Sequence, residues 1–287
     1  MANLKEIRNR IASVSSTMQI TSAMKMVSAA KLKKAQDAIT SMRPYANTLT
    51  ELIQKLSGSM DGDTQNLYTQ VRPKQSVLII SITSNRGLCG AFNANIIKKT
   101  RQLFDKEFKN QKVSLITIGK KGSEILNKTG KVISSYDSVF DNLTYNSVSN
   151  IAEIVMNHYE KKTFDQVVLV YNRFKNAATQ IIEVESFLPI VAEKKSENNS
   201  NVDYIFEPSK SEIISELLPK SLKMQLFKAL RDSFASEHGA RMTAMHKATD
   251  NATDLRDQLK LTYNKARQAA ITNEILEIVG GAEALKS

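Results

Sequence analysis

The chain has one cysteine, no tryptophan, five prolines and ten glycines in 287 residues, and each scarcity removes a class of protein. A single thiol, Cys89, excludes an internal disulfide framework and any cysteine-based zinc cluster, and His158, His238 and His246 are too scattered to supply metal-ligand spacing. The expectation is a reduced, intracellular protein with no metal and no cofactor. The longest apolar stretch, Val-Leu-Ile-Ile at 77–80 followed by Ser81 and Ile82, falls far short of the roughly 20 residues of a membrane span. The first residues, Met-Ala-Asn-Leu-Lys-Glu, carry neither an apolar signal core nor Arg- and Ser-rich transit character. The chain is therefore expected to be neither integral to a membrane nor exported.

Glycine and proline also mark where long helices cannot run, because both interrupt the helical backbone. No glycine precedes Gly58, and Pro44 is the only proline before it. Residues 1–58 therefore read as one long helix with a kink allowed near Pro44. Alternating steps of three and four pass through Leu4, Ile7, Ile11, Val14, Met18, Thr21, Lys25, Ser28, Leu32, Ala35, Ile39, Met42, Ala46, Leu49, Ile53 and Leu56; all but Thr21, Lys25 and Ser28 are apolar. A 3.5-residue repeat held this long is a coiled-coil signal. At the three exceptions, Ile20, Met24 and Val27 predict a seam displaced by one residue. At about 1.5 Å per residue such a helix is on the order of 80 Å long and must protrude from a domain of this size.

A second long helix is expected over 208–287. Pro208 sits in a helix-starting position with Ser209 and Ser211 as caps, and Pro219 introduces an early kink. Leu222, Leu226, Leu230 and Phe234 hold one face; Ala240, Ala244, Ala248 and Ala252 follow at four-residue spacing, then Leu255, Leu259, Ala266 and Ala270. Two such helices at opposite ends of the chain predict an antiparallel pair. Between them, residues 76–83 read as a buried strand, 91–108 as a helix, 113–118 as a strand, 119–126 as a turn and short helix, 148–159 as a helix, and 166–171 and 179–190 as strands. This alternation predicts a Rossmann-like α/β domain with a mainly parallel sheet over 75–193. The polar stretch 194–207 reads as a surface loop leading to the last helix.

The turn Ser84-Asn85-Arg86-Gly87-Leu88-Cys89-Gly90 follows the first strand, where α/β folds place phosphate loops. It fits neither the P-loop nor the dinucleotide fingerprint, since Ala91 and Phe92 follow the last glycine. Arg86, Gly87, Cys89 and Gly90 are therefore assigned to a structural turn, with a nucleotide-binding enzyme using Gly87 and Gly90 as one alternative. The charge is more informative. The net +11 is uneven: Lys5, Arg8, Arg10, Lys25, Lys31, Lys33 and Lys34 face Glu6 alone within residues 1–34. A helix working beside something acidic follows, and a basic coiled coil that binds nucleic acid is the alternative from another class. Against that alternative stand the lack of aromatic interleaving and of a base-reading module.

Longer runs carry a resemblance. They are Ile-Arg-Asn-Arg-Ile-Ala-Ser-Val at 7–14, Ile-Thr-Ser-Ala-Met-Lys-Met-Val-Ser-Ala-Ala-Lys-Leu at 20–32, Arg-Gly-Leu-Cys-Gly at 86–90 with Asn93, Ser-Glu at 236–237, Ala-Arg-Met-Thr-Ala-Met at 240–245, Ala-Thr-Asp-Asn-Ala at 248–252, and Tyr-Asn-Lys-Ala-Arg-Gln-Ala-Ala-Ile-Thr-Asn-Glu at 263–274. Together they make the chain resemble the γ subunit of F-type ATP synthases over nearly its whole length. Asn85 departs from the family, which usually has Asp there.

The resemblance implies a non-catalytic rotor that couples proton flow to ATP synthesis or hydrolysis in the β subunits and regulates both. The paired terminal helices would turn inside a hexameric ring of α and β subunits, one copy per complex, with the α/β domain near ε and the c-ring. The protein would be peripheral on the cytoplasmic face of the bacterial plasma membrane, touching it through the c-ring, with no nucleic acid. Arg267, Gln268, Thr272 and Glu274 match the segment that meets β-subunit loops, and Met24 and Lys25 the N-terminal face opposite it. Arg8, Arg10, Lys31, Lys33 and Lys34 would face an acidic β segment. Ile275, Ile278 and Val279 would run in an apolar bearing.

Overall fold

A computed structural model of the chain describes residues 4–58, 67–70, 72–73, 75–190 and 210–284. The loop expected at 194–207 and the helix start expected at Pro208 and Ser209 lie outside the described residues. The elements in chain order are α1 (Leu4–Gly58), β1 (Ser76–Ile82), α2 (Phe92–Gln102) extended by a π-helical turn (Leu103–Glu107), β2 (Lys112–Ile118), α3 (Lys120–Leu126), β3 (Val132–Tyr136), α4 (Tyr145–Glu160), β4 (Gln166–Phe174), β5 (Gln180–Leu188) and α5 (Lys210–Ala284). The chain divides into two compact units, Met1–Ser28 with Met242–Ser287, and Ala29–Arg241.

In the larger unit, Val77, Leu78, Ile79, Ile80 and Ile82 are all fully buried, which a strand achieves when helices cover both faces of its sheet. The sheet runs β3-β2-β1-β4-β5, parallel through β4 and antiparallel at β5. Side chains alternate across it. Leu78, Ile80 and Ile82 share one core with Val148, Ile151 and Val155 of α4 and Leu218, Leu222, Leu226 and Leu230 of α5. Val77 and Ile79 join Ile96 and Ile97 of α2, Leu103 and Phe104 of the π turn, and Leu126 of α3 on the other face. Each fully buried leucine stabilises by about 1.5–3 kcal/mol, so the first part of α5 is an integral layer of this unit.

β3 was not among the expected strands. Val132 to Tyr136 alternate between half-buried and exposed at the sheet's edge, and its short apolar content gives little periodic signal. α4 starts at Tyr145, earlier than the apolar run predicts, because Thr144 and Ser147 cap it reciprocally: Ser147 N donates to Thr144 Oγ1 and Thr144 N to Ser147 Oγ, both at 3.3 Å.

Both long helices continue through Pro44 and Pro219, and the α1 seam corrects the expected displacement. Thr21 and Ser28 are 9% and 3% exposed, whereas Ile20 and Val27 are 60% and 56% exposed. The heptad therefore runs on in register through its polar members. It can do so because their hydroxyls are satisfied locally: Thr21 Oγ1 lies 3.1 Å from Met18 O and Ser28 Oγ donates to Met24 O at 2.7 Å. Ser28→Leu should accordingly cost about 1–3 kcal/mol by overpacking, while Ile20→Ser stays within about 0.5 kcal/mol; thermal melts of the two full-length variants compare them directly.

A similar correction applies to α5. Leu255 is 47% exposed, and the buried or half-buried line runs through Met245, Thr249, Ala252, Arg256, Leu259, Tyr263, Ala266 and Ala270. Steps of four drift by about 40° each around a helix of 3.6 residues per turn. The alanine stripe gives way to alternating steps of four and three, a 3.5-residue repeat on whose line Leu255 does not lie.

Candidate functional site

In the helix-pair unit, successive contacts fix the pairing. Arg8 Nη2 donates to Tyr263 OH at 2.8 Å with its guanidinium 5.7 Å over the ring. Met18 Sδ accepts from Thr253 Oγ1 at 3.4 Å and Arg256 Nη1 at 3.5 Å. The Thr21 and Thr249 hydroxyls are 2.8 Å apart, and Lys25 Nζ lies 3.4 Å from His246 Nδ1. Numbers rise along α1 as they fall along α5, so the pair is antiparallel. Tyr263 meets Arg8 near the first described turn of α1. Every residue from 271 to 282 is exposed, including Ile275, Leu276, Ile278 and Val279 at 54%, 63%, 71% and 57%.

The register locates the expected coupling residues. Arg267, Gln268, Thr272 and Glu274 are exposed within two turns of α5, with Thr272 Oγ1 donating to Gln268 O at 2.9 Å. Met24 and Lys25 are half-buried and do not lie opposite them. Lys25 sits beside His246, about 20 residues or roughly 30 Å along the helix from Arg267, so the two groups occupy separate levels. The five expected basic residues divide between the two units. Arg8 is engaged by Tyr263 and Arg10 pairs with Glu6 at 3.0 Å, while Lys31, Lys33 and Lys34 are exposed in the other unit. Ile20 and Val27, apolar yet off the heptad and seven residues apart, form an exposed pair on one side of α1.

The larger unit holds a second polar centre, built on the turn after β1. Ser84 Oγ donates to Arg86 O at 2.7 Å, Ser84 N donates to Asn93 Oδ1 at 2.9 Å, and Asn93 Nδ2 reaches Ser84 Oγ and Cys89 Sγ at 2.8 and 3.3 Å. Gly90 takes φ 61°, which glycine accepts without a steric penalty. Asn85 uses both ends of its amide, donating to Asp137 O at 2.6 Å and accepting from Lys120 N at 3.0 Å. A carboxylate at that position could not make the first of these bonds.

Arg241 of α5 closes on this turn. Its Nη2 donates to Arg86 O at 3.0 Å and Gly87 O at 3.2 Å, its Nε to Gly87 O at 3.3 Å, and its Nη1 pairs with Glu237 Oε1 at 2.6 Å. Both charged side chains are buried, at 8% and 9% exposure. Burial pushes the Glu237 carboxyl up from its ordinary range, and Arg241 pulls it back. Burial, followed by the charges of Arg241 and Lys31, lowers the neighbouring His238 to about 4, so its imidazole is neutral near pH 7. Burial likewise raises the Cys89 thiol, which disfavours the nucleophilic thiolate. A phosphate cradle presents backbone N–H groups; this turn presents carbonyl oxygens to a guanidinium. The sequence contained the signal, a Glu and an Arg four apart on one helix, but nothing local said what they enclose.

A family model described as ATP synthase matches residues 3–285. The ATP synthase gamma chain of Flavobacterium psychrophilum is 65% identical over the whole of both chains, and that of Flavobacterium johnsoniae 64% over 99% of each. The chain belongs to the ATP synthase gamma-chain family. It is a non-catalytic, central-stalk rotor subunit of ATP synthase, whose catalytic sites lie in the β subunits. The fold agrees with a chain of the Euglena gracilis mitochondrial ATP synthase rotor, at TM-score 0.68 and 22% identity over 93% of this chain and 98% of that one. Family membership leaves the nucleic-acid alternative without support. Among the described residues no helix is long and apolar enough to cross a membrane.

Proposed function

We propose that the helix pair is the turning part of an F-type rotor, moving inside a ring of α and β subunits while the sheet unit meets ε and the c-ring. The observation that supports this best is the end of α5: among the described residues, an apolar surface of Ile275, Leu276, Ile278 and Val279 exposed on one helix is costly in water and suits an apolar sleeve. Such a sleeve has few directional bonds to resist rotation. One level up, Arg267, Gln268, Thr272 and Glu274 form the polar catch for β-subunit loops. Met24 and Lys25, flanked by the exposed Ile20 and Val27, form a second contact farther along. Lys31, Lys33 and Lys34 attract an acidic β segment.

An asymmetric shaft in a pseudo-threefold ring touches each β subunit differently, and differential contact is what shifts a site between conformations. Full switching of a two-state site needs about 5.5 kcal/mol of difference, so several such contacts must act together. The bacterial sources of the relatives named above support a peripheral position on the cytoplasmic face of the plasma membrane, reached through the c-ring.

Affinity purification from the native cell should bring down α, β, ε and c subunits with ATPase activity; a preparation lacking α and β would remove the assignment. In the intact enzyme, the double variant Arg267→Ala, Gln268→Ala should hydrolyse ATP while pumping roughly fivefold fewer protons per ATP, equivalent to about 1 kcal/mol of lost bias. Wild-type coupling would take these two residues out of the catch.

A further inference from the structure

We infer that Ser236, Gly239 and Arg241 of α5 form a rotational lock that prevents the helix from turning about its own axis against the sheet. This rests on the rotor assignment for its functional meaning and on the geometry of the larger unit alone for its existence. The apolar anchors of α5, Leu222, Leu226 and Leu230, hold it down but are non-directional. They resist separation far better than rotation. Within the next three turns the contacts change character. Ser236 Oγ donates to Asn172 O at 2.9 Å, and Asn172 Nδ2 in turn donates to Phe92 O at 3.2 Å. Gly239 passes the β4–β5 connection so closely that a Cβ there would stand 3.2 Å from both Cα and O of Ala177. Arg241 then grips the carbonyls of Arg86 and Gly87.

These three positions point in different directions around the helix and meet three different segments: the end of β4, the β4–β5 connection and the turn after β1. No single rotation of α5 preserves all three. The Arg241 contacts are the stiffest, since a guanidinium offers a planar fork of fixed geometry. Glu237 holds that fork from behind, and Ser84, Asn93 and Cys89 hold the turn it grips. A helix that must deliver torque requires such a joint, because any slip between sheet and helix dissipates the twist before it leaves this unit. Arg241 is thus a positioning residue for coupling and does not touch nucleotide.

Arg241→Lys keeps the charge and removes the fork. In membrane vesicles carrying the assembled enzyme, it should retain ATP hydrolysis per complex within about twofold and lower ATP-driven proton pumping per ATP by fivefold or more. In the same purified complex, amide hydrogen exchange of residues 86–90 should quicken about tenfold. Leu226→Ala, which removes a buried side chain without touching the lock, should lower the amount of assembled enzyme and leave both readouts at wild-type values. A normal pumping ratio in Arg241→Lys, or an equal loss in Leu226→Ala, overturns the lock as a coupling device. If wild-type vesicles do not pump, the rotor assignment fails instead, and unchanged exchange at 86–90 in Arg241→Lys still overturns the joint itself.

Discussion

Glu237→Ala should destabilise the larger unit by about 3–5 kcal/mol, because it strands the guanidinium of Arg241 in the interior without its countercharge. Both side chains are less than one-tenth exposed and 2.6 Å apart, so solvent screening discounts little of this cost. The remaining bonds to the carbonyls of Arg86 and Gly87 moderate it without neutralising the charge. Urea unfolding of the full chain, followed by the transition of the sheet unit, measures the effect; a loss below about 1 kcal/mol contradicts a buried, mutually dependent pair. The paired replacement Glu237→Met, Arg241→Leu should recover part of the stability, since removing both charges also removes the cost of burying them. That variant separates folding from coupling: it should remain folded yet lack the polar grip on the turn.

Acid should weaken the chain through His238. The ring is 5% exposed and stacked edge-on against Phe234 at 4.5 Å, and its pKa falls from 6.5 to about 4 because burial disfavours the imidazolium, with Arg241 and Lys31 adding repulsion. The unfolded chain therefore binds a proton at this site near pH 6.5 that the folded chain refuses until about pH 4. Stability from this group is complete above pH 6.5 and is lost progressively as pH falls through that window, by about 3 kcal/mol in total. Glu237 and Asp232 act in the opposite sense. Burial raises both carboxyls, so the folded state holds their protons more tightly and gains stability as pH falls through the carboxylate range. Subtracting the pH profile of His238→Gln from that of wild type isolates the histidine. A difference that does not change between pH 7 and 4 would show that the ring is not buried neutral.

Much of the architecture was legible from local pattern. The strands at β1, β2 and β4 announce themselves as short apolar runs, the N-terminal helix by a heptad uninterrupted by glycine, and the C-terminal helix by its leucine and alanine stripes. What periodicity misjudged was which residues within a heptad turn inward. Thr21 and Ser28 read as breaks in the seam and Ile20 and Val27 as its continuation, yet the hydroxyls are buried and the aliphatic groups exposed. A small polar side chain that can bond its own helix's carbonyl costs little to bury and lets a second backbone approach. Hydropathy counts it as polar regardless. The edge strand β3 escaped for the complementary reason, since half-exposed positions leave no apolar run to detect.

The polar sites divide in the same way. The exposed apolar end of α5 was visible as Ile275, Ile278 and Val279 matching a family segment. That Met24 and Lys25 sit roughly 30 Å from Arg267, however, depends on which turns of the two helices meet. Register between elements more than 200 residues apart in the chain is set by side-chain packing, as when Arg8 meets Tyr263, and no local signal encodes it. The grip of Arg241 on the Arg86–Gly87 turn, 155 residues away, is of the same kind.

By itself the sequence determined the two long terminal helices, the α/β character of the middle and the concentration of positive charge in residues 1–34, because each is a property of composition or of spacing along one element; the family followed from longer runs that resemble its members. The tertiary structure alone decided the seam, the register of the helix pair, the burial of Glu237, His238 and Arg241, and the joint they make with the turn after β1. Those depend on which surfaces exclude water from one another, and desolvation is a property of the assembled fold.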